Sequence, residues 1–432
     1  MSDEGGLLAA RLSEKLLADL RLIASVAEGL GARAWLVGGP VRDALLGLRV
    51  RDIDVAVEGD AHAVAEALAR GGRGRAVLHR DFLTAVVRLP DGRRWDLATA
   101  RRESYPAPGA LPVVEPASIE DDLRRRDFTI NAMATRLRPE GPSDSLDPFG
   151  GRHDIRRKVL RVLHGRSFVD DPTRIVRAAV YAARLGFGIE ADTMWWLAEA
   201  VGAGALATVS GHRLGEQLRR GIETDAAPDV LANLEAWEVL PWLGLPARLE
   251  RRAALDALPL GRRRLGLRAT SIGPAAFALA AGERAEAAAR HLALPRRYAD
   301  TARHLRALLA AGVLAREGGP SRPSEWEEVL GGAGPGVVLA VWALAGEDER
   351  EPLGVWWRLR RRLVLSIGGD DLLAAGLPEG PAIGVGLRAA WLKLLDGNAP
   401  TRERQLAIAL AAARDWLGGE GREGGRRHEE CE

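Results

Sequence analysis

The stretch LVGGPVRDALLGLRVRDIDVAV, Leu36–Val57, decides the reading of the fold. It starts as an apolar strand, breaks at Gly38-Gly39, and continues as a short helix, PVRDALLG, that ends at Gly47. RDIDVAVEG then alternates as a strand does, so Ile53, Val55 and Val57 face one way and Asp52 and Asp54 the other. Two carboxylates this close repel unless a positive charge sits between them. Oxygen ligands of this kind, completed by waters and phosphates, suit Mg²⁺. Backbone N–H groups at a glycine turn and a helix start attract an anion, and Arg42, one turn in, adds a cationic fork for phosphate. A lone Gly-Gly is an ordinary turn, and a lone Asp-x-Asp at a strand end faces solvent. Together they specify a phosphate site beside a metal site.

The chain of 432 residues is too long for one ordinary core and implies at least two domains. No apolar run is long enough to span a membrane, and the N-terminus lacks a secretory pattern. The single cysteine, Cys431, excludes a disulfide framework and a cysteine metal site. A cytoplasmic location is expected. The formal net charge is only +2, and almost every cation is arginine. Clusters at Arg124–Arg126, Arg156–Lys158, Arg262–Arg264, Arg296–Arg297 and Arg360–Arg362 suit phosphate, although charge runs are commonly solvated faces.

Residues up to about 155 mix short strands and helices. RAVLH (75–79), LTAVVRL (83–89) and RRWDLAT (93–99) read as strands, the last two joined by a PDG hairpin turn. Beyond 156 helical periodicity dominates. The expected class is α+β: a head with a mixed or antiparallel sheet, then an all-α remainder. The expected divisions are a head at 1–155, a neck at 156–230, a body and tail at 231–416, and a disordered glycine- and charge-rich end at 417–432.

GGPVRDALLG followed by RDIDVAV resembles the first signature of the class II tRNA nucleotidyltransferase and bacterial poly(A) polymerase family. DLRRRDFTINAMA (Asp122–Ala134) is similar to its Arg-Arg-Asp signature, and FVDDPTRIVRAAVYAARLGF (Phe168–Phe187) to its nucleobase-reading helix. VSGHRLGEQLRRGI (Val209–Ile222) extends the match into the neck. The resemblance makes Gly38, Gly39 and Arg42 triphosphate contacts, and Asp52 and Asp54 metal ligands. Arg126 and Asp127 fall where the family binds the incoming nucleotide. Asp170 and Asp171 with Arg174 fall where it reads the base, and Arg177 adds a nucleotide contact. Asp96, on a neighbouring strand, is a candidate third carboxylate. Two alternatives stay open: Arg126 and Asp127 as a local ion pair opening a helix, and Asp171 as an N-cap before Pro172. The chain departs from the family at Asp170, where Glu is usual, and at Val180, where Arg is usual.

The resemblance implies addition of C, A or both from CTP and ATP to a tRNA 3′ end, with Mg²⁺ as cofactor. The helical region would hold the acceptor and T arms through phosphates and shape. ESYPAPGALPVVEPASIEDDL (Glu103–Leu123) resembles the form found in A-adding enzymes, and a chain doing part of the job needs a companion enzyme. The other readings are a poly(A) polymerase of the same family, a small-molecule nucleotidyltransferase, and a dead RNA-binding protein. A metal phosphohydrolase built on His153-Asp154 is disfavoured for lack of a second cluster; that pair reads as surface loop.

Overall fold

The computed structural model describes residues 8–50, 53–314 and 319–429. Asp52 lies outside them. The chain divides into two compact units, one of residues 1–221 and 229–243, the other of residues 222–228 and 244–432.

The first unit begins with helix α1 (Glu14–Gly29), capped by the Ser13 hydroxyl and burying Leu20, Ile23, Ala24 and Ala27 along one stripe. Strand β1 (Arg33–Val37) leads through the glycine turn into α2 (Gly39–Leu45), and β2 (Ile53–Glu58) follows. Helix α3 (Ala61–Leu68) is capped by Asp60. The three strands expected from alternation form β3 (Arg75–His79), β4 (Thr84–Arg88) and β5 (Arg94–Thr99), the last two joined by the expected tight turn. Strands β6 (Arg101–Ser104) and β7 (Val113–Pro116) make a separate antiparallel hairpin before α4 (Ile119–Arg124). Strands β8 (Ala134–Arg138) and β9 (Gly141–Leu146) complete a seven-stranded sheet of order β3-β4-β5-β2-β1-β8-β9. Only β2 and β5 run parallel within it, so the sheet is mixed. A core of Trp35, Val37, Ala56, Ile119, Leu123, Ala132 and Ala134 seals α4 and the 132–134 segment onto it.

Helices then take over: α5 (Gly151–Arg157), α6 (Ser167–Asp170), α7 (Thr173–Leu185), α8 (Ala191–Gly202), α9 (Gly211–Ile222) and α10 (Ala227–Ala236). His153 and Asp154 are not surface loop. They lie in α5, where Asp154 is buried and accepts hydrogen bonds from Thr129 Oγ1 (2.7 Å) and Arg161 Nε (3.1 Å). Burial with no metal-holding cluster around it among the described residues makes this a structural carboxylate.

Val180 explains its departure from the family pattern. It is buried, and a Cβ placed on Gly221 would lie 2.6 Å from its Cγ2 and 3.2 Å from Val230 Cγ1. An apolar residue here closes a joint between α7, α9 and α10 rather than facing a phosphate. Gly221→Ala is therefore expected to lower stability by about 1–3 kcal/mol through overpacking. Urea unfolding at neutral pH reads this, and Val180→Ala in the same chain should recover part of the loss.

The second unit is helical throughout, from Arg252–Arg264 to a long final helix, Arg402–Glu429. Its core includes the wholly buried helix Ile272–Ala281 and the buried Trp326, Trp356 and Tyr298, whose hydroxyl donates to Glu223 (2.8 Å). The segment 417–432, expected to be disordered, is helical as far as Glu429. Extending a helix already nucleated by a packed N-terminal part costs far less than starting one. Among the described residues no single helix is long and apolar enough to cross a membrane.

Candidate active site

A cavity of about 1050 Å³ gathers most of the residues singled out in the sequence. Gly38, Gly39 and Arg42 come from the turn after β1, Asp54 from β2, and Arg126 and Asp127 from the segment after α4. Asp171, Arg174 and Arg177 come from the start of α7.

The turn requires glycine. Gly38 has φ of +71°, and a Cβ there would lie 2.6 Å from Arg126 Nη1. The guanidinium of Arg126 thus rests against bare backbone. Its Nη2 donates to the buried Asp122 (2.9 Å), while its Nε is buried and meets no acceptor among the described residues. An orphan donor of this kind costs about 1–3 kcal/mol, which a ligand oxygen would recover. Arg42 is buried as well. It donates to Asn131 Oδ1 (2.6 Å) and twice to Asp43 Oδ1, and its guanidinium carbon stands 5.1 Å from the Tyr181 ring centroid.

Neither Arg126 nor Asp127 belongs to a local pair opening a helix. Both follow the end of α4, and they pair with different residues: Arg126 with Asp122, Asp127 with Arg177 fifty positions on. Asp127 is saturated. Its Oδ1 accepts from Phe128 N (2.8 Å) and Asn131 Nδ2 (3.0 Å), and its Oδ2 accepts from Arg177 Nε (2.9 Å) and Nη2. Burial pushes its carboxyl pKa up, but the Arg177 charge and these hydrogen bonds outweigh that and hold it at about 2. Arg177 also donates to Tyr181 Oη, so Tyr181 lies between Arg42 and Arg177 and links the glycine turn to α7.

Asp171 is both cap and cavity residue. Its Oδ1 accepts from Thr173 N (3.2 Å), Thr173 Oγ1 (2.7 Å) and Arg213 Nη2 (2.9 Å). Its Oδ2 lies 4.0 Å from Arg174 Nε. Arg174 is held by Ser167 Oγ (2.6 Å) and the Arg125 carbonyl (2.7 Å). Asp170 is not brought to this cavity; its carboxylate meets Arg166 (3.3 Å) at the protein surface.

Asp54 and Asp96 are register partners on the parallel strands β2 and β5. Both line a second, smaller cleft, of about 320 Å³, which also contains Arg126. Arg94 pairs with Asp96 (3.1 Å). Among the described residues no group of three or more His, Cys, Asp or Glu side chains could hold a metal ion. Two neighbouring hard carboxylates on adjacent strands, Asp54 and Asp96, nevertheless fit a divalent cation that completes its shell with waters and substrate oxygens. Sequence reasoning missed Tyr181, Asn131 and Arg213. The first two sit four residues after Arg177 and Asp127, a spacing that could have found them.

A model described as the poly A polymerase head domain matches residues 34–161. A solved CCA-adding enzyme in its apo form is 32% identical, covers 95% of this chain and 98% of its own, and superposes with a TM-score of 0.73. This chain belongs to the class II tRNA nucleotidyltransferase and poly(A) polymerase family. Two curated relatives show the range within the family. An A-adding tRNA nucleotidyltransferase of Geobacter sulfurreducens is 34% identical over 94% of this chain. A CC-adding tRNA nucleotidyltransferase of Deinococcus radiodurans is 51% identical over 35% of it. The chain spans 48% and 40% of those relatives, about half of their length or less. The family is generally metal-dependent.

Proposed function

We propose that the protein is a template-independent tRNA nucleotidyltransferase that adds C, A or both from CTP and ATP to the tRNA 3′ end. The observation that carries this is that Asp54 and Arg126 line both the carboxylate cleft and the large cavity. One nucleotide can therefore present its phosphates near Asp54 and its base to α7. Gly38, Gly39 and Arg42 serve as triphosphate contacts, and the buried orphan Nε of Arg126 suits a nucleotide oxygen. Asp127 and Arg177 hold this wall of the site rigid through their mutual pair.

In the reaction the tRNA 3′ oxygen attacks the α-phosphorus, the bond to the β-phosphate oxygen breaks, and pyrophosphate leaves. The proton of the attacking hydroxyl passes to a carboxylate of the Asp54–Asp96 pair. Asp52, Asp54 and Asp96 are the residues that would hold Mg²⁺, which supplies Lewis-acid stabilisation of the charge developing on the phosphate. Asp171 accepts a hydrogen bond from the exocyclic amine of cytosine or adenine, and Arg174 donates to the adjacent ring nitrogen. Uracil and guanine present the opposite order and leave buried groups mismatched.

The proposed divisions are a catalytic head at 1–155, a neck at 156–230, and a body and tail at 231–416 that hold the acceptor and T arms. We assign the reaction to the cytoplasm, where tRNA meets free CTP and ATP. The test offers CTP, ATP and UTP separately to tRNA transcripts ending before C74, before C75 or before A76. We expect addition of C, A or both on at least one of these ends, with pyrophosphate released. A product formed on all three with UTP as readily as with CTP would overturn the base-reading assignment. No product on any would overturn the function.

A further inference from the structure

We infer that Arg213 is a positioning residue for nucleobase selection, acting through Asp171. This rests on the base-reading role proposed for Asp171. A lone carboxylate at a helix start can turn about its χ angles and offer either oxygen to a ligand. Here the choice is made by its neighbours. Oδ1 takes all three donors, from Thr173 N, Thr173 Oγ1 and Arg213 Nη2, at 3.2, 2.7 and 2.9 Å. Oδ2 has Arg174 Nε at 4.0 Å, beyond hydrogen-bond reach. The cap function is thereby confined to one oxygen, and the other is left to a base amine beside the Arg174 donors.

Thr173 alone would not fix this arrangement, because its two donors come from the residue at the helix start itself and move with it. Arg213 comes from α9, forty-two positions away, and its own fork is anchored at the other end. Nη1 donates to the Gly109 carbonyl at 2.7 Å. Gly109 is held in turn, with its N–H directed to the Asp170 carbonyl (3.3 Å), φ of +70°, and no space for a Cβ against Thr208. A planar fork bound at both ends has lost its freedom, which a lysine ammonium in its place would not. Arg213 also lines the cavity, at a quarter exposed, so the constraint acts at the site itself.

The test measures kcat and KM of the full-length protein for CTP, ATP, UTP and GTP on the tRNA end it extends. Arg213→Ala should lower the preference for the correct nucleotide over UTP by about tenfold or more, since a mispositioned acceptor in the cavity no longer rejects the wrong base edge. The loss should fall mainly on the KM ratio, with kcat for the correct nucleotide less affected. Arg213→Lys should be intermediate, because one ammonium replaces a two-point fork. Asp171→Ala should lose the same preference, and adding Arg213→Ala to it should lower it no further, the non-additivity expected of residues acting as a unit. Thermal unfolding of each variant identifies any that fail to fold, and Arg213→Lys is the arm to read if Arg213→Ala is among them. Unchanged preference in a folded Arg213 variant, while Asp171→Ala loses it, overturns the inference alone. Full additivity in the double variant does the same. Unchanged preference in Asp171→Ala overturns the base-reading role itself.

Discussion

Asp54→Ala is expected to reduce nucleotide addition at saturating substrates by about a thousandfold or more, since several kcal/mol of stabilisation at the transferring phosphate would be lost. Asp54 stands in register beside Asp96 and borders both the cleft and the cavity, so no other side chain described here duplicates its position. tRNA affinity should change little, because contacts to phosphates elsewhere dominate binding to a polyanion. Single-turnover addition under excess enzyme, with filter binding of the same tRNA at two salt concentrations, separates the two quantities. Near-normal turnover in the alanine variant would remove the metal assignment from this strand.

Asp127→Ala should have the largest effect on stability, a loss of about 3 kcal/mol, because it removes a buried carboxylate and leaves the part-exposed Arg177 guanidinium without its partner. The partner residues Asn131 and Phe128 N lose their acceptor as well. The same pair sets a pH dependence. Asp127 is held at about 2 in the folded chain, below the ordinary 3.8. A depressed carboxyl pKa stabilises the fold above the unfolded value and loses that contribution as pH falls through the folded one. Its share, about 2 kcal/mol by the size of the shift, should disappear between about pH 4 and pH 2. Urea unfolding across this window should show a steeper loss for the natural chain than for Asp127→Asn. Parallel curves would sink the claim that this pair anchors α7 to the segment after α4.

The elements with a strong local signal were legible before any coordinates. The glycine turn, the β4–β5 hairpin and the Asp54 strand are announced by alternation and turn residues. So are the helix that carries Asp171, Arg174 and Arg177 and its cavity-facing spacing. What escaped depends on contacts between distant positions. Arg126 next to Asp127 reads as one pair, yet Arg126 turns back one helical turn to Asp122, and Asp127 takes Arg177, which only folding brings near from fifty positions on. Asp171 was weighed as cap or base reader; its Oδ1 takes the helix-start donors while its Oδ2 stays 4.0 Å from Arg174 Nε, an asymmetry that residue type alone does not reveal. Val180 looked like a lost arginine, whereas it is buried and packs against Gly221. The β6–β7 hairpin has too few alternating residues to declare itself. The final helix was hidden by glycines and charges that a packed start carries through.

The contact between Val180 and Gly221 also bears on how this chain can be recombined with its relatives. A hybrid that takes the 173–185 helix from a relative with arginine at the position of Val180, but keeps Gly221 and Val230 from here, would drive a long charged side chain into a space that does not admit one methyl group. The reverse exchange would leave a void. Crossover points between 180 and 230 should therefore yield misfolded hybrids, while junctions that move α7, α9 and α10 together should be tolerated. Shuffling experiments on this family acquire a rule from one interatomic distance: these three helices are inherited as a block.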